Sequence, residues 1–127
     1  MRNKPQDHGV IQLRRTLYCS LFGLLATWQE ESSFRKMVLL LILLVPVIFL
    51  LPLTVLERVI LIIPLGIGLQ VELLNSAIEN AVDLTTQEIH PLAKKAKDMG
   101  SAAQFVNLVM LVVIWLVVLG NKIGAWS

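Results

Sequence analysis

The sequence is poor in charge and in the side chains that carry most catalytic and redox chemistry. Only 16% of its 127 residues are charged, against 56% hydrophobic. One cysteine, Cys19, and two histidines are all it offers of those types. A lone cysteine excludes an intrachain disulfide, and no Cys/His spacing suits zinc. There is no G-x-x-x-x-G-K-[ST] phosphate loop, no G-x-S-x-G elbow and no protein-kinase motif set, and "GIG" at Gly66 to Gly68 is not a dinucleotide fingerprint. A net charge of +2 does not suggest nucleic acid. The apolar stretch Leu17 to Trp28 lacks an A-x-A site and is interrupted by "QEESSFRK", so no cleavable signal peptide is read. Any phosphate chemistry must rest on carboxylate-held metal and on groups borne by helices.

What the sequence has in abundance is apolar runs of membrane length. Met37 to Leu56 is twenty residues without a charge. Val59 to Ile78 and Ser101 to Gly120 are two more stretches near the ~20 residues needed to cross hydrocarbon. Pro46, Pro52 and Pro64 can kink such helices, which membranes tolerate where neighbours satisfy the freed backbone. The chain of 127 residues reads as a single domain, 1–127. Its basic residues are uneven. Arg2, Lys4, Arg14, Arg15, Arg35 and Lys36 precede the first span, and Lys94, Lys95 and Lys97 lie between the second and third. Arg58 and Lys122 are all the other side offers. The positive-inside rule puts the N-terminus and the loop before span three in the cytoplasm.

Ahead of the first span, over about 8–30, Val10, Leu13, Leu17, Leu21, Leu24 and Trp28 recur at three and four and form a stripe about 60° wide. Gln12, Arg15, Thr16, Cys19, Gly23 and Ala26 lie opposite. This predicts an amphipathic helix in the membrane interface; packing on a partner protein is the alternative. "MRNKPQDHG" reads as a mobile tail.

"VELLNSAIENAVD" is the anomaly. Glu72 and Glu79 are two helical turns apart, within about 20° of one another, and Asn75, Ser76 and Asp83 fall within about 60°. A carboxylate inside a span costs about 3 kcal/mol on insertion scales, and such groups are usually functional. The plainer alternative is an interhelical hydrogen-bond seam. Two clusters converge on the same side: Glu30 and Glu31 at the end of the surface helix, and Glu88, His90, Lys97 and Asp98 before span three. Pro91 suits a first helical turn, which would put Lys94, Lys97, Asp98 and Ser101 on one face. Carboxylates with lysine suit a nucleotide and its Mg²⁺, an ion bound by oxygens of one or two carboxylates and of phosphates. Alone, each cluster would pass for solvated interfacial charge.

At "VELLNSAIENAVD", "AKDMGSAA" and "W-x-x-E-x-x-F-R" (Trp28 to Arg35) the chain resembles the prokaryotic integral-membrane diacylglycerol kinases, over about Leu13 to Gly120. The resemblance implies an all-α membrane protein with an N-terminal amphipathic surface helix and three transmembrane helices, assembled as a homotrimeric bundle. It implies a multi-pass protein of the bacterial cytoplasmic (inner) membrane that moves the ATP γ-phosphoryl group to a lipid hydroxyl, that of diacylglycerol, giving phosphatidic acid. Glu72 corresponds to the base and Glu31 and Glu79 to the carboxylates for Mg²⁺ and nucleotide. Asn75, Lys97 and Asp98 join the active site, Glu88 and His90 contact nucleotide, and Ser101 and Arg35 lie on the lipid side. Gln12 and Cys19 occupy nucleotide-facing positions of the surface helix, but depart from a basic residue and an aromatic there; Phe22 and Leu25 replace polar or basic residues. The family has an undecaprenol kinase branch, toward which "HPLAKKAKD" leans, while "AKDMGSAA" leans toward diacylglycerol.

Two other classes compete. A small proton or ion transporter could use Glu72 and Glu79 as a relay, but Val59 to Leu69 continues it with no polar side chain. A non-enzymatic assembly subunit would leave Glu31 and "AKD" without a role.

Overall fold

The computed structural model describes residues 9–125, so the first eight residues of the tail lie outside it. Four helices follow one another: α1 (Gly9–Glu30), α2 (Ser32–Leu50), α3 (Val55–Thr85) and α4 (Pro91–Lys122). The last three are long and apolar enough to cross a membrane. The protein is therefore an all-helical membrane protein, as the hydrophobic runs predict.

The helix ends follow local chemistry. Pro52 restricts the residue before it to extended backbone, and α2 stops at Leu50 with Leu51 at φ −79°, ψ 149°. The charge-free run to Leu56 thus overstates this span by six residues. Thr54 then opens α3 with a reciprocal capping box: its hydroxyl accepts from the Glu57 N–H and the Glu57 carboxylate accepts from the Thr54 N–H. Arg58 donates to the carbonyls of Ile48 and Leu51, both at 3.4 Å, closing the end of α2 onto the start of α3. At the other end His90 caps α4, its Nδ1 accepting from the Leu92 N–H at 3.1 Å, with Pro91 as the first helical residue.

The core is small and lies where the three spans meet: Met37, Ile48, Leu53, Leu61, Leu65 and Leu111. Gly68 lies in the same junction. A Cβ there would run into the Met37 thioether and approach the Asn107 Nδ2 at 3.1 Å. Packing is closest between α3 and α4, which run antiparallel. Three α4 side chains donate to α3 backbone carbonyls along this seam: Gln104 to Gly68 and Asn107 to Pro64, each at 3.2 Å, and the Trp115 indole to Leu61 at 3.2 Å.

Length decides where the polar site can be. At 1.5 Å per residue, α3 with 31 residues and α4 with 32 are each about 45–50 Å long, well beyond ~30 Å of hydrocarbon. Their surplus falls at the C-terminal end of α3 and the N-terminal end of α4, where the charges are. The Met37–Gly68 contact fixes the register of α2 against α3. It places Glu31, the residue before α2, about level with Asn75. α1 has no buried residue, and both its leucine stripe and Tyr18, Phe22 and Leu25 are exposed.

Candidate active site

Burial grades along the polar stripe of α3. Glu72 and Ser76 are buried, Asn75 and Glu79 are half-buried, and Asp83 is exposed. The helix carries its acidic groups from the packed seam out to the overhang. Glu72 is 8% exposed, and its Oε1 accepts from Gln104 Nε2 at 3.0 Å. Its other oxygen makes no hydrogen bond among the described residues and is not fully enclosed.

One turn outward, Asn75 Nδ2 donates to Glu79 Oε1 at 3.1 Å. Asn75 Oδ1 is buried without a partner among the described residues and lies against Gly100 of α4, where a Cβ would collide with it. Glycine at 100 is thus what lets Asn75 lie flat along the seam and turn its amide to Glu79. Beyond it, Lys97 Nζ pairs with Asp83 and Lys94 Nζ with Asp98, each at 2.6 Å. All four side chains are 41–73% exposed, and exposed pairs of this kind are worth under about 1 kcal/mol. Either lysine can exchange its carboxylate for an incoming phosphate at little cost.

A pocket of about 310 Å³ at this end brings together Asp83, Glu88, His90, Lys94, Lys97 and Asp98. Four of the expected nucleotide residues, Glu88, His90, Lys97 and Asp98, therefore share one concavity. An apolar groove of about 450 Å³ runs beside Asn75 and Gly100, lined by Val71, Leu74, Ile78 and Met99 among others.

Other expected residues lie apart. Arg35 donates to the last carbonyls of α1, Trp28 at 2.7 Å and Gln29 at 3.1 Å. Glu31 is the extended N-cap of α2, but its side chain makes no capping bond. Gln12 and Cys19 are exposed on α1, and Ser101 is exposed on α4. Among the described residues no three His, Cys, Asp or Glu side chains come together as a metal cage. A donor set of two carboxylates still fits Mg²⁺, which leaves most of its shell to water and substrate phosphate.

Sequence reading missed Gln104 and Asn107. Two amides three residues apart in an apolar span are the available signal, since such groups cross-link helices in membranes. They also bear on the relay alternative. Polar groups do continue inward past Glu72, but they are non-titrating donors committed to backbone carbonyls.

The chain is similar to known sequences over most of its length. The profile of the prokaryotic diacylglycerol kinase family matches residues 18–119. A diacylglycerol kinase of Pseudomonas aeruginosa is 52% identical over 100 residues, covering 79% of this chain and 81% of that one. One from Helicobacter pylori is 45% identical over 111 residues, 87% of each chain. That of Escherichia coli K12 is 38% identical over 102 residues, 80% of this chain and 84% of its own. The match takes in α2, α3 and nearly all of α4, the elements that carry the graded carboxylates and the lysine-lined pocket. With three spans, an acidic stripe and that sequence likeness in agreement, the chain belongs to the prokaryotic diacylglycerol kinase family and is an ATP-using membrane lipid kinase.

Proposed function

We propose that this kinase phosphorylates the free hydroxyl of diacylglycerol to give phosphatidic acid, with Glu72 as the general base. The observation that carries the reading is the state of the Glu72 carboxylate: buried in the α3–α4 seam, one oxygen held and the other open. In the transfer, that open oxygen takes the hydroxyl proton. The lipid oxygen bonds to the γ-phosphorus and the bond from the γ-phosphorus to the β–γ bridging oxygen breaks, releasing ADP. The Glu72 proton returns to water afterwards. Lys97 and Lys94 neutralise phosphate charge at the pocket they line. Glu79, oriented by Asn75, and Glu31, at about the height of Asn75, are the carboxylates suited to hold Mg²⁺. When bound, the ion would supply positive charge that neutralises the phosphates.

The same reading places the N-terminus and the α3–α4 loop in the cytoplasm and the protein in the inner membrane, since lysine and arginine concentrate on that side. It also makes the enzyme a homo-oligomer, a trimer by its family resemblance. No residue of α1 is fully buried against its own chain, and three helices alone enclose the site poorly. The apolar groove beside Asn75 suits an acyl chain. Of the donors that could meet ester carbonyls, Ser101 is exposed, whereas Ser76 is buried and the Asn75 amide is committed to Glu79.

The test is transfer of the terminal label of ATP to a panel of lipid alcohols by purified protein, with Glu72→Gln alongside. Diacylglycerol should be the preferred acceptor, and Glu72→Gln should lose at least ~10² in turnover, the lower range for acid–base catalysis. Nucleotide binding should survive. A folded, fully active Glu72→Gln removes the base assignment; a higher kcat/KM for undecaprenol in direct competition reverses the choice of lipid alone.

A further inference from the structure

We infer that Gln104 is a positioning residue for catalysis, acting through Glu72; the inference rests on Glu72 being the base. Gln104 is 8% exposed, on the face of α4 packed against α3. Its Nε2 faces two acceptors, the Gly68 carbonyl at 3.2 Å and Glu72 Oε1 at 3.0 Å. An amide NH₂ has two hydrogens, so both are used, and the orientation of the amide follows from the partners. The backbone bond anchors Gln104 to α3 one turn below Glu72, and the second bond ties the carboxylate to that anchor. A glutamate side chain has three rotatable bonds, and a base misplaced by 1 Å can cost two orders of magnitude in rate. The clamp removes that freedom and directs the remaining oxygen outward.

The cost of the arrangement argues that it is more than packing. Gln104 Oε1 is buried with no partner among the described residues. Leaving such an atom unsatisfied is unfavourable, and a leucine would fill the seam without it. Asn107 supplies the comparison. It lies one turn deeper on the same face of α4 and donates to an α3 carbonyl, Pro64, at 3.2 Å, without touching Glu72. Asn107 joins the helices; Gln104 joins the helices and holds the carboxylate.

The experiment is a pair of double-mutant cycles in the full-length enzyme: Gln104→Met with Glu72→Asp, and Asn107→Leu with Glu72→Asp. Gln104→Met should lower kcat at least tenfold with KM for ATP unchanged. Its effect should largely vanish in the Glu72→Asp background, whose shortened carboxylate is already out of reach. Asn107→Leu should change kcat by the same factor in both backgrounds. Additive effects of Gln104→Met, or equal coupling of both residues to Glu72, overturn the proposal. Infrared difference spectra keep the matter decidable if Glu72→Asp is inactive or Gln104→Met folds poorly, with Gln104→Leu as the second variant. The carboxylate stretch identified by its loss in Glu72→Gln should move when the Gln104 amide is removed and stay fixed in Asn107→Leu. An unmoved band rejects the clamp. Full activity of Glu72→Gln would instead reject the base reading on which it stands.

Discussion

At the scale of single residues, the site is a set of carboxylates differing in depth and in what holds them. Glu72 is clamped from α4, Glu79 is oriented by its own helix through Asn75, and Asp83 is paired with a lysine in water. The proposed function gives the lipid hydroxyl to the first and phosphate and metal to the second. Glu79→Gln keeps the shape of the side chain and its capacity to accept from Asn75, but removes the charge that attracts a cation. It should raise the Mg²⁺ concentration needed for half-maximal activity, and added Mg²⁺ should restore part of the lost rate. Glu31→Gln should behave alike. Unchanged Mg²⁺ titrations in both variants would remove the two residues from metal binding. That Glu72 and Glu79 share a face could be read directly from their spacing of seven. That Gln104 completes the deeper site could not, because nothing local in α4 says which α3 residue it will face.

At the scale of elements, the helix junctions bear on function. The family resemblance puts Arg35 on the lipid side, whereas its guanidinium holds the last carbonyls of α1. The two roles separate experimentally. In Arg35→Ala, loss of about 1 kcal/mol of capping should speed amide exchange roughly fivefold across the last turn of α1, with α2 to α4 unaffected. A raised KM for lipid with unaltered exchange would make Arg35 a substrate residue instead. His90 has a comparable double position, since it caps α4 and also lines the lysine pocket. Its Nδ1 is used by the cap, so only Nε2 remains for a nucleotide. Pro91 at the start of α4 is readable from sequence, because the ring of proline pre-sets the first helical residue, whereas Pro52, expected only as a kink within a span, ends the helix there instead. The early end of α2 was not read, because hydrophobicity alone does not register where a helix turns.

At the scale of the whole molecule, the exposed apolar surface of α1 leaves room for a second copy, and we propose that the working site draws on more than one. Glu31 stands at the α1–α2 junction, whereas Glu72 is held across the α3–α4 seam and Glu79 by Asn75 of its own helix. If subunits share sites, co-assembled Glu72→Gln and Glu31→Gln subunits should regain part of the activity that each lacks alone. Trimers that form but recover nothing would confine each site to one chain. An active species found only as a monomer by native mass spectrometry would dismiss the oligomer itself.

The sequence by itself determined the membrane class, the number of spans, the acidic stripe on α3 and the family. Each follows from spacing along one chain or from residue type: apolar runs of bilayer length, a period of 3.6, the rigid chemistry of proline, and motif likeness. Only the tertiary structure decided which atoms meet across the α3–α4 seam. Gly68 and Gly100 leave the space, Gln104 reaches Glu72, and Asn75 is turned toward Glu79 by the backbone of another helix. Such contacts depend on helix register and crossing, fixed by the packing of many side chains at once, and no local pattern encodes them.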